Sequence, residues 1–317
     1  MEKEIINKIK EYQRIIIHGH KRPDGDCYGS MIGLKNIIKE SFPEKDVYIS
    51  NEEVEYLSSF LGHFPYVDDS LYENSLVICV DTATAERVSD KRFRNGNFLI
   101  KIDHHIPIDN YGDINYVVTK PSCSQLIAKM AFDNGLKLNY EGARAMYTGI
   151  ITDTGRFRFR GVDQETLHVA GDLLSYGVLV DEIDNNLSIE TIESIKFKAH
   201  VLSNMKFTEN GVVYFVIPKE LIEEYHINYE DAANTVTLLG NIKGYPVWFI
   251  LLEYPDDLRL RIRSRGPEVD LLANKYEGGG HKKAAGARLH SFDELGKFVE
   301  DIDKLTKEYK EENKDAR

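Results

Sequence analysis

The chain has 317 residues, 42% of them hydrophobic and 29% charged, with a formal net charge of −12. That length exceeds the usual single-core size, so two domains are expected in an otherwise ordinary soluble globular protein. The acidic total excludes a broad basic face for long duplex nucleic acid, and no run approaches the roughly 20 apolar residues of a membrane span. Cys27, Cys79 and Cys123 are odd in number and scattered, matching neither a disulfide framework nor a thiolate zinc site, so a reducing, cytoplasmic setting is expected.

The opening "MEKEIINKIK" reads as an amphipathic helix rather than a signal peptide. Runs rich in β-branched residues then recur: "RIIIHGH", "DVYIS", "SLVICVD" and "FLIKIDHH". Helical patterns separate them, such as "SMIGLKNIIKE", where Met31, Leu34, Ile37 and Ile38 share a face. This alternation predicts an α/β domain with a mostly parallel sheet and flanking helices. From 121 to 176 the pattern is mostly helical, with "SQLIAKMAFDNG" ending at Gly135. Residues 186–206 read as one long helix with Ser188 or Thr191 as cap, and the domain boundary is placed near 190. Strands resume in "GVVYFVIP", "YPVWFILLEY" and "DLRLRIRSRG", and the charged tail "DKLTKEYKEENKDAR" is expected to fray.

Acids and imidazoles collect in four places. The segment "HGHKRPDGDCYGS" carries His20-x-x-x-Asp24-x-Asp26 after the first strand. Asp81 follows the strand 76–80, Asp103-His104-His105 follow 98–102, and Asp153 ends a run readable as strand or buried helix. An aspartate after a strand is more often a turn or helix cap, so each group alone is weak. In an open parallel sheet, however, loops at the carboxyl ends of strands converge on one site. His20, Asp24, Asp26, Asp81, His104 and Asp153 then supply six ligands with oxygen in excess and no thiolate, which suits Mn²⁺ or Mg²⁺, with Fe or Co as competitors. Two such cations clamp the attacking and leaving oxygens of a displacement at phosphorus, and Asp81 is the natural bridge between them. The four aspartates cancel the formal charge of two divalent ions, so further cations must hold an anionic substrate.

The second half offers them. Arg259, Arg261, Arg263 and Arg265 recur at every second position and share one face of a strand, forming a positive stripe without interleaved acid. "GGGHKKAAG" follows, with glycine amides that can cradle an anion, His281 at the end of the run, and Ala284, Ala285 and Gly286 read as a tightly packed helix start.

Together these segments resemble the DHH phosphoesterase superfamily, with Asp103-His104-His105 as the signature triplet and the glycine run as the hallmark of a DHHA1 domain, most similar to the nanoRNase type. The resemblance implies a DHH catalytic domain over 1–187, a connecting helix over 188–206 and a smaller mixed α/β DHHA1 substrate domain over 207–317, with the active site in the cleft between domains. It implies that His20, Asp24 and Asp81 hold one metal and Asp26, Asp81, His104 and Asp153 the other, most often Mn²⁺, with Mg²⁺ or Co²⁺ as substitutes. His105, with Asp103 and Asp81, would act at the scissile phosphate. Arg263, Ser264, Gly279, Gly280 and His281 would grip the far end of the substrate, and Ser122 and Ser124 would line it. Short oligonucleotides and adenosine 3′,5′-bisphosphate are the expected substrates. Partners in this reading exclude long duplex and membrane and leave a homodimer open. A dinucleotide phosphodiesterase and a non-catalytic nucleotide sensor stand as alternatives. Cys27 and Tyr28 occupy positions where small residues are common in the family, and Lys282 follows the glycine-run histidine, so these departures bear on substrate preference.

Overall fold

A computed structural model describes residues 1–159 and 161–313. The chain divides into two compact units, Met1–Ile189 and Glu190–Arg317.

In the first unit the amphipathic α1 (Glu2–Glu11) leads into β1 (Arg14–His18), α2 (Gly25–Ser41), β2 (Asp46–Ile49), α3 (Glu55–Leu61), β3 (Ser75–Val80), β4 (Phe98–Asp103) and β5 (Ile114–Val117). The strands pair in parallel in the order β2-β1-β3-β4-β5. Central β3 is buried at every position, as a parallel strand covered on both faces must be. Ile15, Ile17, Leu76, Ile78, Ile100 and Ile102 pack on one side, with Ile16, Val77 and Cys79 on the other. Helices α4 (Cys123–Asp133), α5 (Tyr140–Asp153), α6 (Gln164–Leu174) and α7 (Val180–Ser188) follow. The run ending in Asp153 is therefore helical. Strand order reverses between β1 and β3, so the chains leaving these neighbours diverge and open a crevice at their carboxyl ends. Helix α5 lies against α2 so closely that a Cβ on Gly29 would stand 2.4 Å from the Ala145 carbonyl oxygen.

The second unit comprises α8 (Ile192–Asn204), β6 (Lys206–Phe207), β7 (Val212–Ile217), α9 (Lys219–Glu224), α10 (Tyr229–Asn234), β8 (Val247–Glu253), β9 (Leu258–Ser264), α11 (Asp270–Lys275), β10 (Gly279–His281), β11 (Ala284–Leu289) and α12 (Glu294–Glu312). Its six-stranded sheet runs β10-β11-β9-β8-β7-β6 and is mixed, with β7 and β8 parallel and the remaining pairs antiparallel. Alternate residues of β8 feed two cores: Val247, Phe249 and Leu251 meet Phe298 and Ile302 of α12, while Trp248, Ile250 and Leu252 share a core with Phe197 and Val201 of α8.

Four expectations are corrected. The long helix over 186–206 is two helices, because Ile189 and Thr191 take extended backbone and the Thr191 hydroxyl accepts from Ser194 N to start α8 afresh. Ala284–Gly286 begin a strand, not a helix: Gly279, Gly280 and His281 pair antiparallel with Gly286, Ala285 and Ala284. The tail is helical to Glu312, since Phe298, Ile302 and Thr306 are buried; residues 314–317 lie outside the described residues. The arginine stripe is partly neutralised from other segments, with Arg259 paired to Asp257 and Arg261 to Glu230, and Arg265 falls beyond the end of β9. No helix among the described residues is long and apolar enough to cross a membrane.

Candidate metal centre

Each ligand candidate is held by the backbone geometry of the element it ends. His20 lies two residues past β1; its Nδ1 donates to the Lys21 carbonyl at 2.9 Å, which leaves Nε2 as a bare lone pair. Asp24 caps α2, its Oδ1 accepting from the amides of Asp26 and Cys27, both at 3.1 Å. Asp26 is buried in the first turn of α2 and is fixed by the start of α4: Oδ2 accepts from Cys123 N at 2.6 Å and Oδ1 from Ser124 N at 2.9 Å. Asp81 follows β3 with φ +50, a left-handed backbone that a non-glycine residue adopts only under constraint, and its amide is tied to the Ile102 carbonyl. His104 donates Nδ1 to the Lys120 carbonyl at 2.9 Å and so also presents Nε2. Asp153 closes α5.

These groups converge. His20 Nε2 lies 3.7 Å from Asp24 Oδ1 and 3.5 Å from Asp81 Oδ2. His104 Nε2 lies 3.2 Å from Asp81 Oδ1, 3.4 Å from Asp153 Oδ2 and 3.8 Å from Asp26 Oδ2. The two oxygens of Asp81 thus face two different imidazoles, each with its own further carboxylates. Lone pairs confront lone pairs across both gaps, and Asp81 Oδ1 is buried without a hydrogen-bond donor. A cation must lie between such groups, either a proton or a metal. The donor set of imidazole nitrogen and carboxylate oxygen fits a hard or borderline divalent ion in each half.

The electrostatics of the metal-free chain express the same demand. Burial, then the Asp81 charge, pushes the Asp26 carboxyl up to about 7. Burial with Asp26 and Asp81 pushes Asp153 up to about 8. Burial disfavours a charged His104, yet Asp81 and Asp26 outweigh it and raise the ring to about 10. His20 is likewise raised, its burial overcome by Asp24 and Asp81. The site holds protons where it lacks a stronger cation.

Beside this centre, His105 is exposed and donates Nδ1 to Asp103 Oδ1 at 2.8 Å, while Asp103 is fully buried at the end of β4. Cys27 was not among the expected ligands, but its sulfur accepts from His20 N at 3.3 Å and stands near His20 and Asp81. Burial pushes its thiol up to about 11, so it packs there as a neutral group. Ser122 and Ser124 do not line an open surface: both are buried, Ser122 caps α4, and the Ser124 hydroxyl meets Ser30 and the Asp26 carbonyl. Ser124 braces Asp26 through its amide and hydroxyl.

In the second unit Arg263 is half-buried on β9, paired across the ladder with Ala284. Its Nη1 donates to the Ile262 carbonyl at 2.9 Å, and no carboxylate among the described residues pairs with it. The Ser264 hydroxyl is spent on the Pro267 carbonyl. Gly279, Gly280 and His281 form the exposed limb of the hairpin. Gly280 takes φ +136, and a Cβ there would stand 2.7 Å from the Ala284 oxygen, so only glycine lets the limb pass so close.

A DHH N-terminal domain spans residues 14–150 and a DHHA1 domain residues 209–308. With the parallel sheet and the carboxylate-imidazole centre between its strand ends, the chain belongs to the DHH–DHHA1 phosphoesterase family, whose enzymes depend on metal. It is 39% identical over 313 residues to the bifunctional oligoribonuclease and PAP phosphatase NrnA of Bacillus subtilis, across 98% of this chain and 100% of that protein. It is 37% identical over 307 residues to the probable bifunctional oligoribonuclease and PAP phosphatase NrnA of Streptococcus mutans, across 96% and 99%. The crystal structure of an exopolyphosphatase-related protein from Bacteroides fragilis shares the fold, with TM-score 0.86 at 24% identity over 97% of this chain and 96% of that one.

Proposed function

We propose that the protein is a Mn²⁺-dependent phosphohydrolase that cleaves short oligonucleotides to mononucleotides and removes the 3′-phosphate of adenosine 3′,5′-bisphosphate. The observation that carries this reading is the two-faced placement of Asp81, with Oδ2 at 3.5 Å from His20 Nε2 and Oδ1 at 3.2 Å from His104 Nε2. The near-full-length likeness to proteins named for both activities supports it.

In this reading His20, Asp24 and Asp81 hold one cation, and Asp26, Asp81, His104 and Asp153 the other; Mg²⁺ and Co²⁺ are substitutes. Bound there, the cations supply Lewis acidity at the phosphate and a water acidic enough to attack near neutral pH. The chain does the rest. Asp81 sets the separation of the two halves, and the bond from its amide to the Ile102 carbonyl holds its backbone in place. The carbonyls of Lys21 and Lys120 hold the imidazoles in the tautomer that presents Nε2. His105, oriented by Asp103, leaves Nε2 to meet the scissile phosphate and steady the charge that develops on its oxygens. Arg263 and His281, with the amides of Gly279 and Gly280, bind the nucleotide's outer part, converting binding energy into alignment. A protein of net charge −12 acts better on fragments of a few nucleotides than on long strands. Its buried, unpaired Cys27, Cys79 and Cys123 suit a reducing cytoplasm.

A panel of Mn²⁺ assays on a dinucleotide, a long single strand, a cyclic dinucleotide and the bisphosphate tests the proposal. Fast release of mononucleotides and of phosphate from the first and last supports it. Turnover confined to the cyclic dinucleotide would replace it with a signalling phosphodiesterase, and binding without turnover with a sensor.

A further inference from the structure

Lys101 lies in the middle of β4, in the run "FLIKID", and its side chain is fully buried. A lysine ammonium taken out of water is retained only where its three donors and its charge are answered. Here they are. Nζ donates to the Ala83 carbonyl at 2.8 Å and the Asp109 carbonyl at 2.9 Å, and stands 3.3 Å from Asp103 Oδ2. The Tyr111 ring closes the remaining side, 5.1 Å from Nζ to its centroid. Asp103 is divided between two partners: Oδ1 takes His105 Nδ1 at 2.8 Å, while Oδ2 is buried, has no hydrogen-bond donor among the described residues and stands 3.3 Å from this ammonium.

We infer that Lys101 is a positioning residue for the phosphohydrolase reaction, acting through Asp103 on the ring of His105. Its attraction to Oδ2 opposes rotation of the Asp103 carboxylate about the Cβ–Cγ bond, which keeps Oδ1 where it orients an otherwise exposed imidazole. The same ammonium ties Ala83, two residues past Asp81, to Asp109 in the loop that follows the histidine pair, which joins the chain on either side of the reacting centre. Of the two carboxylates that face His105 Nδ1, Asp103 at 2.8 Å is nearer than Asp81 at 3.7 Å, so the ammonium is aligned with the carboxylate that orients the ring. The apolar alternative at this place, methionine, fills the same volume without charge.

The inference rests on the phosphohydrolase reading, and its test separates the two. In a double-mutant cycle, Lys101→Met should lower kcat for Mn²⁺-dependent dinucleotide cleavage by about 10- to 100-fold, with KM and calorimetric Mn²⁺ affinity within about twofold of wild type, as displacement of an aligned group does. In a His105→Ala background the same change should cost no further kcat. Lys101→Gln keeps a donor for one carbonyl but no charge, and should behave like Lys101→Met. Wild-type kcat in Lys101→Met, a loss that multiplies that of His105→Ala, a matching loss of Mn²⁺ affinity, or failure of both variants to fold would each overturn the positioning role. Wild-type kcat in His105→Ala alone would instead remove the role assigned to that histidine.

Discussion

His20 and His104 show how little a residue's identity decides and how much its second hydrogen bond does. Each spends Nδ1 on a backbone carbonyl, and only that leaves Nε2 to a cation; His105, one residue further on, spends Nδ1 on a carboxylate and becomes a different tool. The imidazoles and most of the aspartates were legible in the sequence because they follow apolar strand runs, where loops of a parallel sheet must meet; Asp153 instead ends helix α5. Lys101 was not legible, although a lysine inside "FLIKID" is a signal in hindsight: a charge at a position covered on both faces needs a partner. Arg263 is the residue-scale test of substrate grip. As a guanidinium that no carboxylate among the described residues neutralises, it should contribute a charged hydrogen bond to a phosphate or base. Arg263→Ala should raise KM by roughly 10- to 100-fold and leave kcat within about threefold. Steady-state kinetics on a dinucleotide checks this, and a fall in kcat at unchanged KM speaks against the role.

At the scale of elements, the centre depends on how α2, α4 and α5 approach one another. The amides at the start of α4 hold Asp26, and α5 must lie close enough to bring Asp153 to His104. A Cβ on Gly149 of α5 would stand 2.1 Å from the Ser124 hydroxyl oxygen and 2.8 Å from Asp26 Oδ1. Gly149→Ala therefore strikes packing and ligand together. We expect about 1–3 kcal/mol of destabilisation and a drop in Tm of several degrees, with Mn²⁺ affinity reduced at the same time. Scanning calorimetry with and without Mn²⁺ reads both; unchanged Tm and affinity would show that α5 yields freely. The order of strands and helices was readable because β-branched runs and helical periods alternate in step with the fold. The break between α7 and α8 was not, since neither glycine nor proline marks it and only the Thr191 cap reveals it. Nor was the β10–β11 hairpin, because two lysines between small residues read equally as a helix start. The contact of Ser124 with Asp26 was hidden by their distance in sequence.

For the molecule as a whole, the concentration of acid at one point makes stability depend on pH and metal together. Asp26 and Asp153 titrate in the metal-free fold at about 7 and about 8, above the ordinary carboxylate value of 3.8. His104 titrates at about 10, above its ordinary 6.5. All are raised, so the folded chain binds protons more tightly than the unfolded one. Their contribution is full at low pH, begins to fall above about 4 for the carboxyls and above 6.5 for His104, and is lost by about pH 8 and about pH 10. The Tm of chelator-treated protein should therefore decline from pH 5 to pH 9. Because a metal must displace the same protons, Mn²⁺ should restore more stability at pH 9 than at pH 5. Thermal melts at both pH values, with chelator or Mn²⁺, check the slope; a metal-free Tm that climbs across this range would show that protons do not fill the centre.

The most direct test concerns Asp81, the one carboxylate shared by both halves. The Mn²⁺-dependent kcat for dinucleotide cleavage should fall by about 10³-fold or more in a folded Asp81→Ala protein. A variant that folds, yet releases mononucleotides at close to the wild-type rate, would contradict a paired-cation mechanism built on this residue.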